Sequence, residues 1–227
     1  MTDQVKRRYR SPQRSQRAAE TQAAILRAAR EHFRTKGYAA TAVADIAASA
    51  GVNLDTVYTA VGRKPQLMLA VIDMTLASSD RPVQAEQRDY VRAVLAASGA
   101  RAKLTAYAEA LGRLMPEVAP LFEALGQAAR TEPECASVRD LIADRRASNM
   151  LKLAQDLRAT GELRADLSDA EVADLLWTTN APEYYALTVA RGWTSEAYSA
   201  RLADLWCRVL VAEGGDAGLA AQIEITP

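Results

Sequence analysis

A single histidine, His32, in 227 residues leaves no imidazole set for a His-rich metal site. It stands on a basic helical stretch, so a Ser-His-Asp or Cys-His device is nearly excluded as well. Cysteine is almost missing: Cys135 and Cys207 lie far apart and outside any Cys-x-x-Cys spacing, which suggests neither a disulfide framework nor a zinc site, and buried thiols are the plainer reading. No run approaches the roughly eighteen consecutive apolar residues that a membrane span needs. Met1 to Ser15 is polar and basic without an apolar signal core, so a cytoplasmic protein with no membrane partner is expected. Phenylalanine occurs twice and long β-branched runs are few, which argues against strands. Paired carboxylates such as Glu132 and Glu134 read as exposed helix-boundary charges. No catalytic residue, metal site or cofactor is expected, and an enzyme is the most remote reading.

What is abundant is Ala and Leu, within a hydrophobic content of 49%, against only 11 glycines and 8 prolines; that mixture favours helices and is long enough to bury a core in one domain or two. Net charge is zero but unevenly spread. Residues 1 to 70 carry 12 Lys plus Arg against 5 Asp plus Glu, and residues 71 to 227 carry 16 against 23. One end is therefore suited to a polyanion while the remainder does something else. The basic leader, with Lys6, Arg7, Arg8, Arg10, Arg14 and Arg17, reads equally as a solvated tail or as a DNA-contacting arm.

Helical spacing of Ile25, Leu26, Ala29 and Phe33 predicts a first helix from about Arg17 to Lys36, stopped by Gly37, with Tyr38 folding back onto it. Thr41 is the expected N-cap of a short second helix, with Val43, Ile46 and Ala47 inward. Ala50-Gly51-Val52 makes a tight turn, and Asn53 caps a short third helix whose apolar side is Leu54, Val57 and Val61. Gly62 ends it, and Pro65 opens a fourth helix to about Ser78. Further helices are expected over 85–97, 101–114, 117–130, 134–160, 169–190 and 195–212. Ser98-Gly99, Pro116, Pro133, Gly161 and Gly192 act as punctuation, Ser168 with Glu171 forms a capping box, and Pro182 interrupts or kinks the penultimate helix. The implied organisation is all-α: a basic tail (1–16), a helix-turn-helix head (17–64), a larger helical body (65–212) and a loose C-terminal tail (213–227).

Two short helices joined by a glycine turn form a helix-turn-helix, whose second helix lies in the major groove. Spacing alone fits plain helix packing as well. Three features point to DNA: Asn53, Thr56, Tyr58 and Thr59 on the third helix reach phosphates or base edges where a solvated face carries Glu and Lys; Lys64-Pro65 opens a helix at an anion-friendly N-terminus; and the motif lies in the basic part of the chain. The run Phe33, Gly37, Tyr38, Thr41, Val43, Ile46, Ala47, Ala50, Gly51, Val52, Thr56, Tyr58, Lys64 and Leu67 strongly resembles the DNA-binding domain of the tetracycline-repressor (TetR) family over about residues 20 to 70.

That resemblance implies phosphate contacts from Thr41, Tyr58 and Lys64, and base-edge positions at Asn53, Leu54, Asp55, Thr56 and Thr59. Asp55 repels phosphate and is useful there only by accepting from a cytosine amino group or by capping the helix. Ala42 replaces a usual Thr or Ser, and Ala60-Val61 replace a common aromatic pair. In the family a variable helical body binds a small molecule and dimerises. The implied partners are accordingly a double-stranded DNA operator, an unidentified small-molecule effector and a second copy of the chain.

For the body, Tyr107, Phe122, Met150, Trp177, Asn180 and Tyr184 are ligand-binding candidates, with Met115 and Tyr185 as further inward residues; ordinary core is the competing reading. Val172, Leu175, Leu176 and Thr179, then Leu202, Leu205, Trp206 and Val209, give the last two helices apolar stripes that a dimer mate covers in the family. The function expected is a ligand-responsive repressor that binds a palindromic operator as a dimer and is released by a small molecule. The alternative is a helical protein-binding or architectural module whose helix-turn-helix is only a packing element.

Overall fold

A computed structural model describes residues 12 to 213. The expected loose tail, apart from Glu213, and most of the basic leader, including Lys6, Arg7, Arg8 and Arg10, lie outside the described residues. Helix α1 spans Pro12–Lys36 and so begins five residues before the expected start. Arg14, Ser15, Gln16 and Arg17 continue it without any breaker, and Gln16 donates to Glu20 one turn on at 3.1 Å. Its inward side chains Ile25, Leu26, Ala29 and Phe33 are buried. Gly37 ends the helix at φ 74°, a conformation that costs glycine nothing, and Tyr38 returns to stack on Phe33 with ring centroids 5.7 Å apart.

Helices α2 (Val43–Ser49), α3 (Leu54–Ala60) and α4 (Lys64–Leu76) follow. The N-cap of α2 is Ala42, not Thr41 as expected. Thr41 is buried instead, its hydroxyl donating to the carbonyls of Gly37 at 2.7 Å and His32 at 3.2 Å, so it seals the end of α1. The apolar side expected of α3 is also corrected. Only Val57 is fully buried; Leu54 is 39% exposed, because the capped start of the helix lifts it off the core.

These four helices share one core with Leu121, Ala124 and Leu125 of helix α6 (Ala100–Ala128) and Cys135, Val138 and Ile142 of helix α7 (Pro133–Arg158). Leu67, Met68, Val71 and Ile72 of α4 lie fully within it, although the sequence had placed the domain boundary just before them.

The two helices expected over 101–114 and 117–130 are a single one, α6, with Pro116 and Pro120 inside it. Each proline deletes one amide donor, yet neither is buried, while Leu111, Leu114, Met115, Val118 and Leu121 are buried on both sides of the prolines. Continuous packing of one face keeps the helix unbroken through them, at about 0.8 kcal/mol per buried methylene, and outweighs the local defect. Gly112 lets helix α10 (Ser195–Leu210) approach closely: a Cβ there would lie 3.0 Å from the Ser195 carbonyl.

A short 3₁₀ turn (Ala85–Gln87) leads into α5 (Asp89–Ala96) where one helix over 85–97 was expected. Helix α8 (Asp169–Thr179) opens with the expected capping box, Ser168 and Glu171 bonding reciprocally. The pattern over 169–190 divides at Asn180-Ala181, and Pro182 starts α9 (Pro182–Ala190) at a position where its missing N–H is not needed. The body core is Leu104, Tyr107, Met150, Leu157, Leu176, Tyr198, Leu202 and Trp206, the last donating to Thr179 Oγ1 at 2.7 Å. Among the described residues strand structure is confined to one isolated bridge, Leu163 to Val211. No described helix is long and apolar enough to cross a membrane.

Candidate nucleic-acid interface and body cavity

Asn53 Oδ1 accepts from the Thr56 amide at 2.9 Å and from the Thr56 hydroxyl at 2.6 Å, so the residue that starts α3 and the residue one turn into it are tied together. With Val57 as its inward anchor, the helix turns Leu54, Asp55, Tyr58 and Thr59 outward, which is the i, i+1, i+4, i+5 face. Thr59 donates to the Asp55 carbonyl at 2.8 Å, leaving its oxygen lone pairs free. The unspent chemistry of this face is the Asn53 amide NH₂, the Asp55 carboxylate, the Tyr58 hydroxyl and the threonine lone pairs, a set able to reach base edges and phosphates. Tyr58 is 45% exposed, far more than an aromatic needed for packing.

The start of α4 flanks that face. Lys64 Nζ lies 4.1 Å from the centre of the Tyr38 ring, and burial lowers its pKa, with the Glu132 carboxylate opposing that shift. The Tyr38 hydroxyl donates to Glu132 at 3.1 Å, and its pKa is driven up by burial first and by Cys135 and Glu132 after that. Arg63, which sequence reasoning passed over, is exposed and reaches Glu134 at 3.3 Å. The α6–α7 turn thus brings two carboxylates against the two cations beside α3. Glu132 and Glu134 are exposed helix-boundary charges, as the sequence suggested, and also the body's contact with the head.

Of the predicted DNA-contacting residues, Asn53, Leu54, Asp55, Tyr58 and Thr59 are exposed on or at the start of α3, Thr56 is half-buried, and Lys64 opens α4. Thr41 does not join them through its hydroxyl, which is spent inside the fold.

In the body a cavity of about 170 Å³ opens between Leu76 at the end of α4, α5, α6, α7 and the α8–α9 break. Tyr107, Phe122, Met150 and Asn180 line it as predicted; Trp177 and Tyr184 do not. Trp177 lies under the guanidinium of Arg146, 5.1 Å from ring centre to Cζ, and Tyr184 packs on Tyr198 at 6.4 Å. Asn180, buried at the break, donates to the Tyr107 hydroxyl at 2.8 Å and accepts from Arg146. Desolvation by burial raises the pKa of Tyr107, so it stays a neutral phenol. The sequence missed Arg146, Tyr90 and Arg88, all on the wall; nothing separates Arg146 from its solvent-facing neighbour Arg145 until the helix is packed.

A family model described as bacterial regulatory proteins, tetR family, matches residues 25–71, the span that holds α1 from Ile25, the two short helices and the first half of α4. Over those residues the chain is similar to the tetR family. Solved structures similar to the chain extend the tetR-family likeness of fold to the body. One is a TetR-family transcriptional regulator from Rhodococcus sp., at 19% identity and TM-score 0.66, covering 84% of this chain and 98% of that one. A transcriptional regulator from Saccharomonospora viridis in complex with choline is 18% identical at TM-score 0.66, covering 85% and 98%. NalD of Pseudomonas aeruginosa, the secondary repressor of the MexAB-OprM multidrug efflux pump, is 20% identical at TM-score 0.63, covering 88% and 99%. No curated protein matches in sequence.

Proposed function

We propose that this protein is a ligand-responsive tetR-family repressor that binds a palindromic operator as a homodimer and leaves it when a small molecule fills the body cavity. The observation that carries this reading is the course of α4. Its first residue, Lys64, flanks the recognition face, and its last, Leu76, is part of the cavity wall, about 18 Å away at 1.5 Å per residue. Near the far end Asp73 takes Arg88 at 3.1 Å and Arg145 at 3.2 Å, so the helix is tethered to the elements that enclose the cavity. A ligand that displaces Leu76 moves Lys64 and α3 with it. Tightly packed interiors transmit such shifts because they do not compress.

In this reading Tyr58 and Lys64 hold phosphates, while Asn53, Leu54, Asp55, Thr56 and Thr59 face the base edges. Leu175, Leu205 and Val209, half-buried on α8 and α10, supply the face for the second copy, since Val172, Leu176, Leu202 and Trp206 of the same stripes are already covered within the chain. The choline complex and the efflux-pump repressor among the similar structures support a small-molecule-controlled repressor. The acidic pair Glu132 and Glu134 competes with phosphate for Lys64 and Arg63 and makes the head easy to release.

Val118→Trp, which adds bulk to the cavity wall, stands in for a ligand. We expect sedimentation to give a dimer for parent and variant, and operator affinity to differ at least fivefold between them with helix content unchanged. A monomer, or equal affinity in a folded variant, contradicts the proposal.

A further inference from the structure

From the cavity's charge arrangement we infer that it accepts a small monocarboxylate with an apolar body, its carboxylate seated on Arg146; this rests on reading the cavity as the effector site. The cavity wall holds three basic side chains, and two of them are already neutralised: Arg88 by Asp73 at 3.1 Å and Lys152 by Glu86 at 2.8 Å. Arg146 has no carboxylate within 4 Å among the described residues. Its protein acceptors are neutral: the Trp177 carbonyl at 2.9 Å and the Asn180 amide oxygen, both reached by Nη2. Nε and Nη1 donate to no acceptor among the described residues, so two of the three nitrogens keep unspent N–H groups on either side of the occupied Nη2.

A half-buried guanidinium whose carboxylate neighbour, Glu183, acts only from beyond ion-pair distance is costly to keep, and a Met or Leu at this position would pack against Trp177 at lower cost. Desolvation lowers its pKa, but an arginine stays protonated throughout the working pH range. What remains is a fixed cation, held flat by Trp177 and by the Asn180 amide, whose Nε–H and Nη1–H groups can each donate a charge-assisted hydrogen bond to a carboxylate oxygen.

Much of the rest of the wall is apolar. Val91, Val94, Leu111, Met115, Val118 and Phe122 offer no hydrogen-bond partner, so one end of the ligand is charged and the rest is hydrocarbon. A space of about 170 Å³ suits a compact acid. A cationic ligand would face Arg146 directly, and the one carboxylate on the wall, Glu86, is already paired with Lys152.

The test uses the full chain and three probes of equal reach, octanoate, octanamide and octyltrimethylammonium, titrated calorimetrically. Octanoate is expected to bind at least tenfold more tightly than the other two. Arg146→Gln should weaken octanoate on the order of tenfold to a hundredfold and leave octanamide within about twofold, whereas Arg146→Lys should keep part of the preference. Because Arg146→Gln removes two structural hydrogen bonds, the unaltered chain's own ranking of the three probes stands as an independent arm.

Equal binding of octanamide or octyltrimethylammonium, octanoate binding that a folded Arg146→Gln does not change, or no saturable octanoate binding up to about 10 mM each overturns the inference. Octanoate that binds with this preference but leaves DNA affinity unchanged refutes the effector reading and keeps the acid site. A neutral or cationic probe that binds in the cavity and releases DNA does the reverse.

Discussion

Asn53→Ala separates two roles that the recognition helix gives to one side chain. The Asn53 carboxamide oxygen satisfies the Thr56 amide at 2.9 Å and fixes the Thr56 hydroxyl at 2.6 Å. Helix α3 has seven residues, well below the length at which a helix holds by itself, and a single fully buried side chain, so it depends on its cap. Losing an Asn cap to Ala costs about 1 kcal/mol, which is roughly a fivefold change in the population of intact α3. If the head and body unfold together, the melting temperature should fall by about 2–4 °C for a chain of this size. Amide exchange at Val61 and Gly62, whose N–H groups close the helix onto the Val57 carbonyl, should accelerate about fivefold.

Asn53→Ser keeps the cap and removes the amide NH₂. If Asn53 only caps, the serine variant binds DNA like the parent and alanine binds about fivefold worse. If the amide also reads a base, serine loses about 1–3 kcal/mol of discrimination at one operator position while its melting temperature stays put. An alanine variant with unchanged melting, exchange and DNA affinity would refute the account of how α3 is held.

Other substitutions test other parts of the molecule. Tyr58→Phe and Lys64→Ala should weaken binding to every sequence about equally, and Lys64→Ala should reduce the slope of log K against log salt by about 1 per head, read by anisotropy. Glu134→Gln frees Arg63 and should tighten DNA binding at low salt, the gain vanishing as salt rises, while stability stays within about 0.5 kcal/mol because the pair is exposed. Trp206→Ala, which removes a fully buried ring and its hydrogen bond to Thr179, should cost about 3–5 kcal/mol in denaturant melts.

The head was legible because its signals are local. Gly37, Gly51 and Gly62 sit at positive φ, Asn53 caps the helix that follows it, and Ser168 with Glu171 forms the box their spacing implies. What the sequence misplaced depends on partners remote in the chain. Pro116 reads as a stop, but packing of Leu111, Met115, Val118 and Leu121 carries α6 through it. Thr41 looks like a cap or a phosphate ligand until the end of α1 covers it. Leu54 fits an apolar pattern, yet a seven-residue helix with one side down leaves it outside. Arg145 and Arg146 are indistinguishable as a dipeptide; packing sends one to Asp73 at the surface and the other to the cavity wall. Four of six proposed cavity residues were found because aromatic and amide groups on long helices are few here, and Trp177 and Tyr184 missed the wall because they support residues that form it.

The measurement that bears most directly on the central claim is a fluorescence-anisotropy titration of the full chain on a labelled duplex from its own promoter region and on a scrambled duplex, across a series of salt concentrations. Two heads each contributing Lys64 and Arg63 predict a clear preference for the promoter duplex and a log–log salt slope of about −3.6 or steeper. Salt-insensitive binding at micromolar or weaker affinity, with no preferred site, would contradict the claim that this helix-turn-helix reads DNA.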